Sequence, residues 1–120
     1  MITFKKVKVC FLIILVFLNI IYVAPCYSLS LREDLFKNAL DFSSGGKFNL
    51  ALQEWNRYLN SYPDDAAGIS NRGNVRLVIG DVKGSIDDQN KAISLNPSEI
   101  DPYINRGIAE EALGLSLIHI

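Results

Sequence analysis

Asn71-Arg72-Gly73 returns 34 positions later as Asn105-Arg106-Gly107, and Gly80 returns as Gly114. A fixed period of that length marks a chain assembled from repeated supersecondary units. Setting Ala66 as position 1 of a unit puts position 1 also at Arg32 and Ile100. The units are then 32–65, 66–99 and a partial third, 100–114.

Each unit places the same kind of residue at the same place. Position 8 is small, with Ala39, Gly73 and Gly107, as a close helix crossing requires. Position 15 holds Gly46, Gly80 and Gly114, where glycine adopts the left-handed conformation that ends a helix. Position 20 carries Ala51 and Ser85, and position 27 carries Tyr58 and Ala92. Pro63 and Pro97 stand at position 32, where proline stops the second helix of a unit.

The coarse reading is five helices and no strands: residues 31–44, 48–61, 66–79, 82–95 and 101–113. Leu35, Leu40, Leu50, Leu52, Trp55 and Leu59 recur at helical spacing and give buried stripes. Trp55, at position 24, reads as a core residue. Ser30 followed by Glu33 has the form of a capping box and sets the expected start of the first helix. Asp64 and Asp65 supply acidic caps between units.

Helix, glycine turn, helix and proline stop at this period resemble the tetratricopeptide repeat, over residues 31–114. The resemblance implies an all-α fold, an α-solenoid of antiparallel helix pairs with about two and a half repeats present. It also implies a concave groove lined by the first helices at positions 2, 5, 9 and 12, with position 6 beside it. The groove candidates are Phe36 and Leu40, then Ser70, Asn71, Asn74 and Leu77, then Ile104, Asn105 and Ile108. Glu33, Ser43, Ala67, Asp101 and Glu111 complete the row. The asparagine amides offer both donor and acceptor to the backbone of an extended peptide; capping or packing within the array is the other reading, and both stay open.

One subclass of that family holds a chaperone's C-terminal carboxylate in a clamp of lysine, arginine and asparagine. Here Phe36, Leu40, Asp101 and Asn105 occupy four of its five places, and only Asn71 matches. A chaperone-tail clamp is therefore not expected.

Departures from the pattern are informative. Position 7, commonly leucine in the family, is Arg72 and Arg106, and position 11, commonly aromatic, is Arg76 and Glu110. An arginine between paired helices is costly without a partner. Asp88, one helix on, is the natural counter-charge for Arg72, and the arginine fork suits a carboxylate; the pair reads as structural. Asn38 and Glu54 fill the same two places in the first unit.

The first 28 residues read as a secretory signal peptide. Lys5, Lys6 and Lys8 precede an apolar run over 9–23, and small residues follow at Ala24, Cys26 and Ser28. Cleavage before Leu29 is expected; an uncleaved membrane anchor through 9–23 is the alternative. Lipid attachment at Cys26 is disfavoured by Pro25 before it. Both cysteines fall in this segment, so no disulfide is expected beyond it. Past Ser28 the chain keeps nine of its twelve Lys plus Arg and all thirteen Asp plus Glu. That balance shows no basic stripe of the kind a nucleic acid needs.

Catalytic, cofactor and metal patterns are not found: the single histidine is His119, and no phosphate-cradling glycine loop or metal-spaced cluster occurs. Asp87 with Asp88, and Glu110 with Glu111, are helix neighbours whose side chains diverge by about 100°, so neither pair shares a proton. No enzyme activity, cofactor or metal is expected. The last six residues, 115–120, supply no polar face for a second helix and match the translation of a DNA-library transposon adapter. They are expected to be a non-native tail on a truncated frame.

The runs Asn71 to Leu77 and Gly80 to Ser85, with Asp101-Pro102-Tyr103 and Glu110 to Gly114, resemble a tetratricopeptide family of cyanobacteria and chloroplasts. That resemblance implies the thylakoid lumen or periplasm and a role in assembling membrane-protein complexes. The expected function is a protein-interaction scaffold outside the cytoplasm, with a protein or peptide partner, no nucleic acid, and membrane contact only through an uncleaved N-terminus. The alternative is the substrate-recruiting arm of a larger envelope enzyme. Self-association is a third reading.

Overall fold

Helices alternate with tight turns along this chain because glycine and proline punctuate it at fixed intervals. The computed structural model describes residues 23–118, with side chains described over 29–115. Residues 1–22, which hold most of the expected signal segment, lie outside the described residues. The chain divides into two compact units, Met1–Glu33 and Asp34–Ile120; the repeats fill the second.

Five helices are described: α1 (Val23–Ser44), α2 (Phe48–Ser61), α3 (Ala66–Val78), α4 (Val82–Leu95) and α5 (Asp101–Ile118). No strand occurs among the described residues. The α1–α2 and α3–α4 turns are the same motif. Gly46 N–H donates to Ser43 O and Lys47 N–H to Phe42 O, at 3.2 and 2.9 Å. Gly80 and Asp81 repeat this onto Leu77 and Arg76 at 3.1 and 2.8 Å. This double closure needs a left-handed residue, and Gly46 and Gly80 have φ of 72° and 93°.

Helix starts are held by carboxylates. Asp65 Oδ1 accepts from Gly68 N–H at 2.9 Å, and Asp81 Oδ1 from Gly84 N–H at 3.0 Å, each satisfying an orphan amide of the first turn. Helices α2 and α4 end at Ser61 and Leu95, and Tyr62 and Asn96, ahead of Pro63 and Pro97, have left the helical region with φ of −132° and −140°. A following proline disfavours the helical conformation in its predecessor.

Two boundaries differ from the sequence reading by more than one residue. Ser30 and Glu33 do not start α1, which is already helical at Val23. A capping box acts only where the upstream chain leaves the helix, and residues 26–30 contain no glycine or proline to force that exit. Gly114 is not a C-cap either: α5 runs on to Ile118, and Gly114 lacks a positive φ. Glycine permits the left-handed turn without requiring it.

The core is aromatic at one end. Trp55 and Tyr58 are fully buried among Leu35, Ala39, Ala51, Leu59 and Ile69. Phe36 meets both rings edge-on, with centroids 5.0 and 5.2 Å away. Such pairs add about 0.5–1.5 kcal/mol each to simple burial. The indole N–H donates to Ser43 Oγ at 3.1 Å, so the polar atom of Trp55 is also satisfied.

Candidate functional site

The second repeat replaces that aromatic core with a polar one. Gln89, at position 24 like Trp55, is fully buried. Its Oε1 accepts from Ser70 Oγ at 2.8 Å, and its Nε2 donates to Ser70 O and Asn74 Oδ1 at 3.0 and 3.1 Å. Asn105 Nδ2 reaches Ser70 Oγ at 3.4 Å, which ties α5 to the network. Full satisfaction is what allows an amide to sit there, because a buried polar group without partners is costly. Ser85 Oγ is the exception, buried with no partner.

Beside it lies a cationic pair sharing one carboxylate. Arg72 Nε and Nη2 donate to Asp88 Oδ2 and Oδ1 at 2.9 and 2.7 Å, a parallel fork. Arg76 Nη1 reaches the same Oδ2 at 2.9 Å. Arg72 Nη1 also donates to Asn56 Oδ1 of the preceding repeat, at 3.1 Å. Sequence reasoning paired Arg72 with Asp88 but missed Arg76 and Gln89. For Arg76 the signal was present, since it stands at position 11, where the family is commonly aromatic.

The face of α1 and α3 carries an open pocket of about 300 Å³, lined by Leu40, Ser43, Ser44, Phe48, Asn71, Asn74, Val75 and Val78. Leu40, Phe48, Val75 and Val78 supply an apolar surface, and serines and asparagines its rim. No lysine or arginine lines it. Asn71 Nδ2 donates to Ala67 O at 3.0 Å, which leaves its Oδ1 as an acceptor. Asn74 Oδ1 is taken by Gln89, which leaves its Nδ2 as a donor. An acceptor and a donor beside an apolar hollow suit a peptide backbone with one apolar side chain.

The nine groove candidates separate into three sets. Leu40, Asn71 and Asn74 meet in the pocket. Phe36 and Ser70 turn inward, to Trp55 and Tyr58 and to Gln89 respectively, and Asn105 joins them through Ser70. Ile104 and Ile108 stand exposed on α5, and Leu77 is half-buried away from the pocket. Ser44, Phe48, Val75 and Val78 were missed, since their approach depends on how the helices lie against one another.

Comparison with known proteins agrees with this architecture. Against solved structures, the chain matches the first TPR of Spaghetti (RPAP3) bound to HSP90 peptide SRMEEVD with a TM-score of 0.66. That match is 23% identical and covers 68% of this chain and 65% of the other. The fold is that of the tetratricopeptide repeat.

A second match of this fold, the TPR2AB domain of yeast Sti1 in complex with pHSP90, has the same TM-score at 24% identity, over 68% of this chain and 32% of that one. In sequence, 64 residues are 31% identical to tetratricopeptide repeat protein 36 of Danio rerio, covering 53% of this chain. They span 34% of that relative, about a third of its length. No family model matches the chain.

Proposed function

We propose that this tetratricopeptide-repeat chain is a non-enzymatic scaffold that holds an extended protein segment in the α1–α3 pocket. The observation that carries the reading is the pocket itself, an apolar hollow rimmed by one free amide acceptor and one free amide donor. Structural neighbours of the same fold, the two TPR domains of Spaghetti, are bound to an HSP90 peptide, which supports a peptide partner here. That peptide, SRMEEVD, is acidic. With no cation on this pocket, the favoured segment is instead an uncharged one with an apolar anchor.

A peptide library displayed on phage and selected on the full chain tests this. Enriched sequences should carry an apolar residue, bind parent protein, and lose about tenfold or more in affinity, 1.4 kcal/mol, on Leu40→Asp. SRMEEVD should bind weakly if at all. Selected peptides that bind Leu40→Asp as well as the parent would place the partner elsewhere.

We also infer that the scaffold works outside the cytoplasm, in a periplasm or thylakoid lumen, where it assists assembly of membrane-protein complexes. Support comes from the basic, apolar and small-residue segments over 5–28. Edman sequencing of the protein recovered from its source cells should begin at Leu29; recovery of the intact chain from the cytosol would overturn export.

A further inference from the structure

We infer that Gln89, buried behind Asn74, is a specificity-determining residue of the pocket: it holds the Asn74 amide so that the bound segment meets an N–H donor there and not a carbonyl acceptor. The inference rests on the reading that the pocket holds an extended segment.

A group that cannot turn over sets the whole series of bonds. Ser70 O is a backbone carbonyl, which only accepts. The Gln89 atom 3.0 Å from it is therefore Nε2, and Oε1 takes the proton of Ser70 Oγ at 2.8 Å. The same Nε2 lies 3.1 Å from Asn74, so the Asn74 atom facing it is Oδ1, and Nδ2 is turned the other way. Among the described residues, Ser85 Oγ is the only buried side-chain polar atom without a partner. Asn74 Nδ2, which has none, thus keeps its access to solvent, on a residue that lines the pocket. Gly73 makes room for this arrangement, since a Cβ there would lie 2.7 Å from Gln89 Nε2.

The first repeat uses position 24 in the same way with other atoms. Trp55 Nε1, which only donates, reaches Ser43 Oγ at 3.1 Å, and Ser43 Oγ gives its own proton to Ala39 O at 2.8 Å. Ser44 Oγ likewise donates to Leu40 O at 2.9 Å. Both serines can offer the pocket an acceptor and no donor. Asn71 has committed one amide proton to Ala67 O, so among the residues lining the pocket Asn74 alone keeps both. The match for that donor is a backbone carbonyl of the bound segment. Counting protons shows what Gln89 contributes. Its amide has two, one for Ser70 O and one for Asn74 Oδ1. A glutamate in its place has one at most and none when ionised, so Asn74 turns over, gives Nδ2 to the carboxyl group and faces the pocket with Oδ1.

Exchange of side-chain amide protons with water, read by heteronuclear NMR on the isotope-labelled full chain, is the test. In the parent it should be slow at Gln89 Nε2 and fast at Asn74 Nδ2. In Gln89→Glu the Asn74 protons should slow by about tenfold or more, and in Gln89→Met, which brings only a weak acceptor, they should stay fast. A merely structural role would not give this contrast, because loosened packing speeds exchange. A peptide selected on the parent should bind Gln89→Glu about tenfold or more weakly, as it should Leu40→Asp. Slow exchange at Asn74 in the parent, or no slowing in Gln89→Glu, overturns the inference; so does a peptide that needs Leu40 and ignores Gln89→Glu. If Gln89→Glu loses its helical circular dichroism, the parent's exchange pattern decides together with Asn74→Asp, which keeps the acceptor for Gln89, removes the donor and should weaken the peptide by a similar factor; unchanged affinity there overturns the inference. Peptides indifferent to Leu40→Asp overturn the pocket reading instead, and the exchange pattern still decides whether Gln89 orients Asn74.

Discussion

The first and second repeats share a frame, a turn motif and the length of their second helices, yet they fill the same interior with opposite chemistry. Position 24 is Trp55 in one and Gln89 in the other, both fully buried. The residues facing them change in step. Phe36 at position 5 stacks edge-on against Trp55, whereas Ser70 at position 5 hydrogen-bonds Gln89. Leu40 and Phe42 give way to Asn74 and Arg76 at positions 9 and 11. The small positions do not change character: Ala39 and Gly73, then Ala51 and Ser85, are buried in both. The backbone crossing therefore fixes residue size at positions 8 and 20, while the bulky sites are free in polarity provided that they vary as a set.

Breaking one set from within is the severest test. Trp55→Gln places the second repeat's residue in the first, where Phe36 and Tyr58 offer it no Ser70 or Asn74. It should lower unfolding free energy by about 4 kcal/mol, from lost packing and an unsatisfied amide, read by urea denaturation followed by circular dichroism. A cost below about 1 kcal/mol would mean that the two interiors are interchangeable residue by residue.

The next effect belongs to the second repeat's charges. Asp88→Ala removes the buried carboxylate that two guanidinium groups share, leaving Arg72 with Asn56 and Arg76 with Asp81 at 3.6 Å. The expected loss is about 3 kcal/mol, the low end for a broken buried pair, because both arginines keep part of their surface in water. Asp87→Ala, one residue away and exposed, should stay within about 0.5 kcal/mol. Equal losses in the two variants would remove the ion pair from the account of this repeat's stability.

Gln89→Leu should cost about 2 kcal/mol, because buried Ser70 Oγ loses its acceptor and Asn74 Oδ1 its donor. Adding Ser70→Ala to it should cost less than the two changes summed, by about 1 kcal/mol. Strict additivity would show that Ser70 and Gln89 were not acting as one unit.

How much of this was legible in the sequence varied with how local the deciding physics is. Helices α2 and α4 have the boundaries their punctuation implies, since Gly46, Gly80, Pro63 and Pro97 act on the backbone directly. Ser30 and Gly114 are permissive residues, and what they do depends on their neighbours; the chain stays helical through both. The frame brings Arg72 to Asp88, but not Arg76, whose place in the family pattern reads as aromatic. The pocket was legible only in Leu40, Ser43, Asn71 and Asn74. Ser44, Phe48, Val75 and Val78 also line it, and how residues of different helices meet is something no spacing within one helix encodes.

The smallest predicted effects have opposite signs and come from one substitution at two equivalent sites. Alanine is the better helix former by about 1 kcal/mol wherever it fits. At Gly73 it does not fit: its Cβ would lie 2.7 Å from Gln89 Nε2 and 3.1 Å from Asp88 Cβ, both held in bonded networks, so crowding outweighs propensity. Gly73→Ala should destabilise by about 1 kcal/mol net. At Gly107 the space is open, and Gly107→Ala should raise the melting temperature of the dilute chain, with a gain of about 0.5–1 kcal/mol. A fall in melting temperature on Gly107→Ala would mean that a helix does cross closely at Gly107.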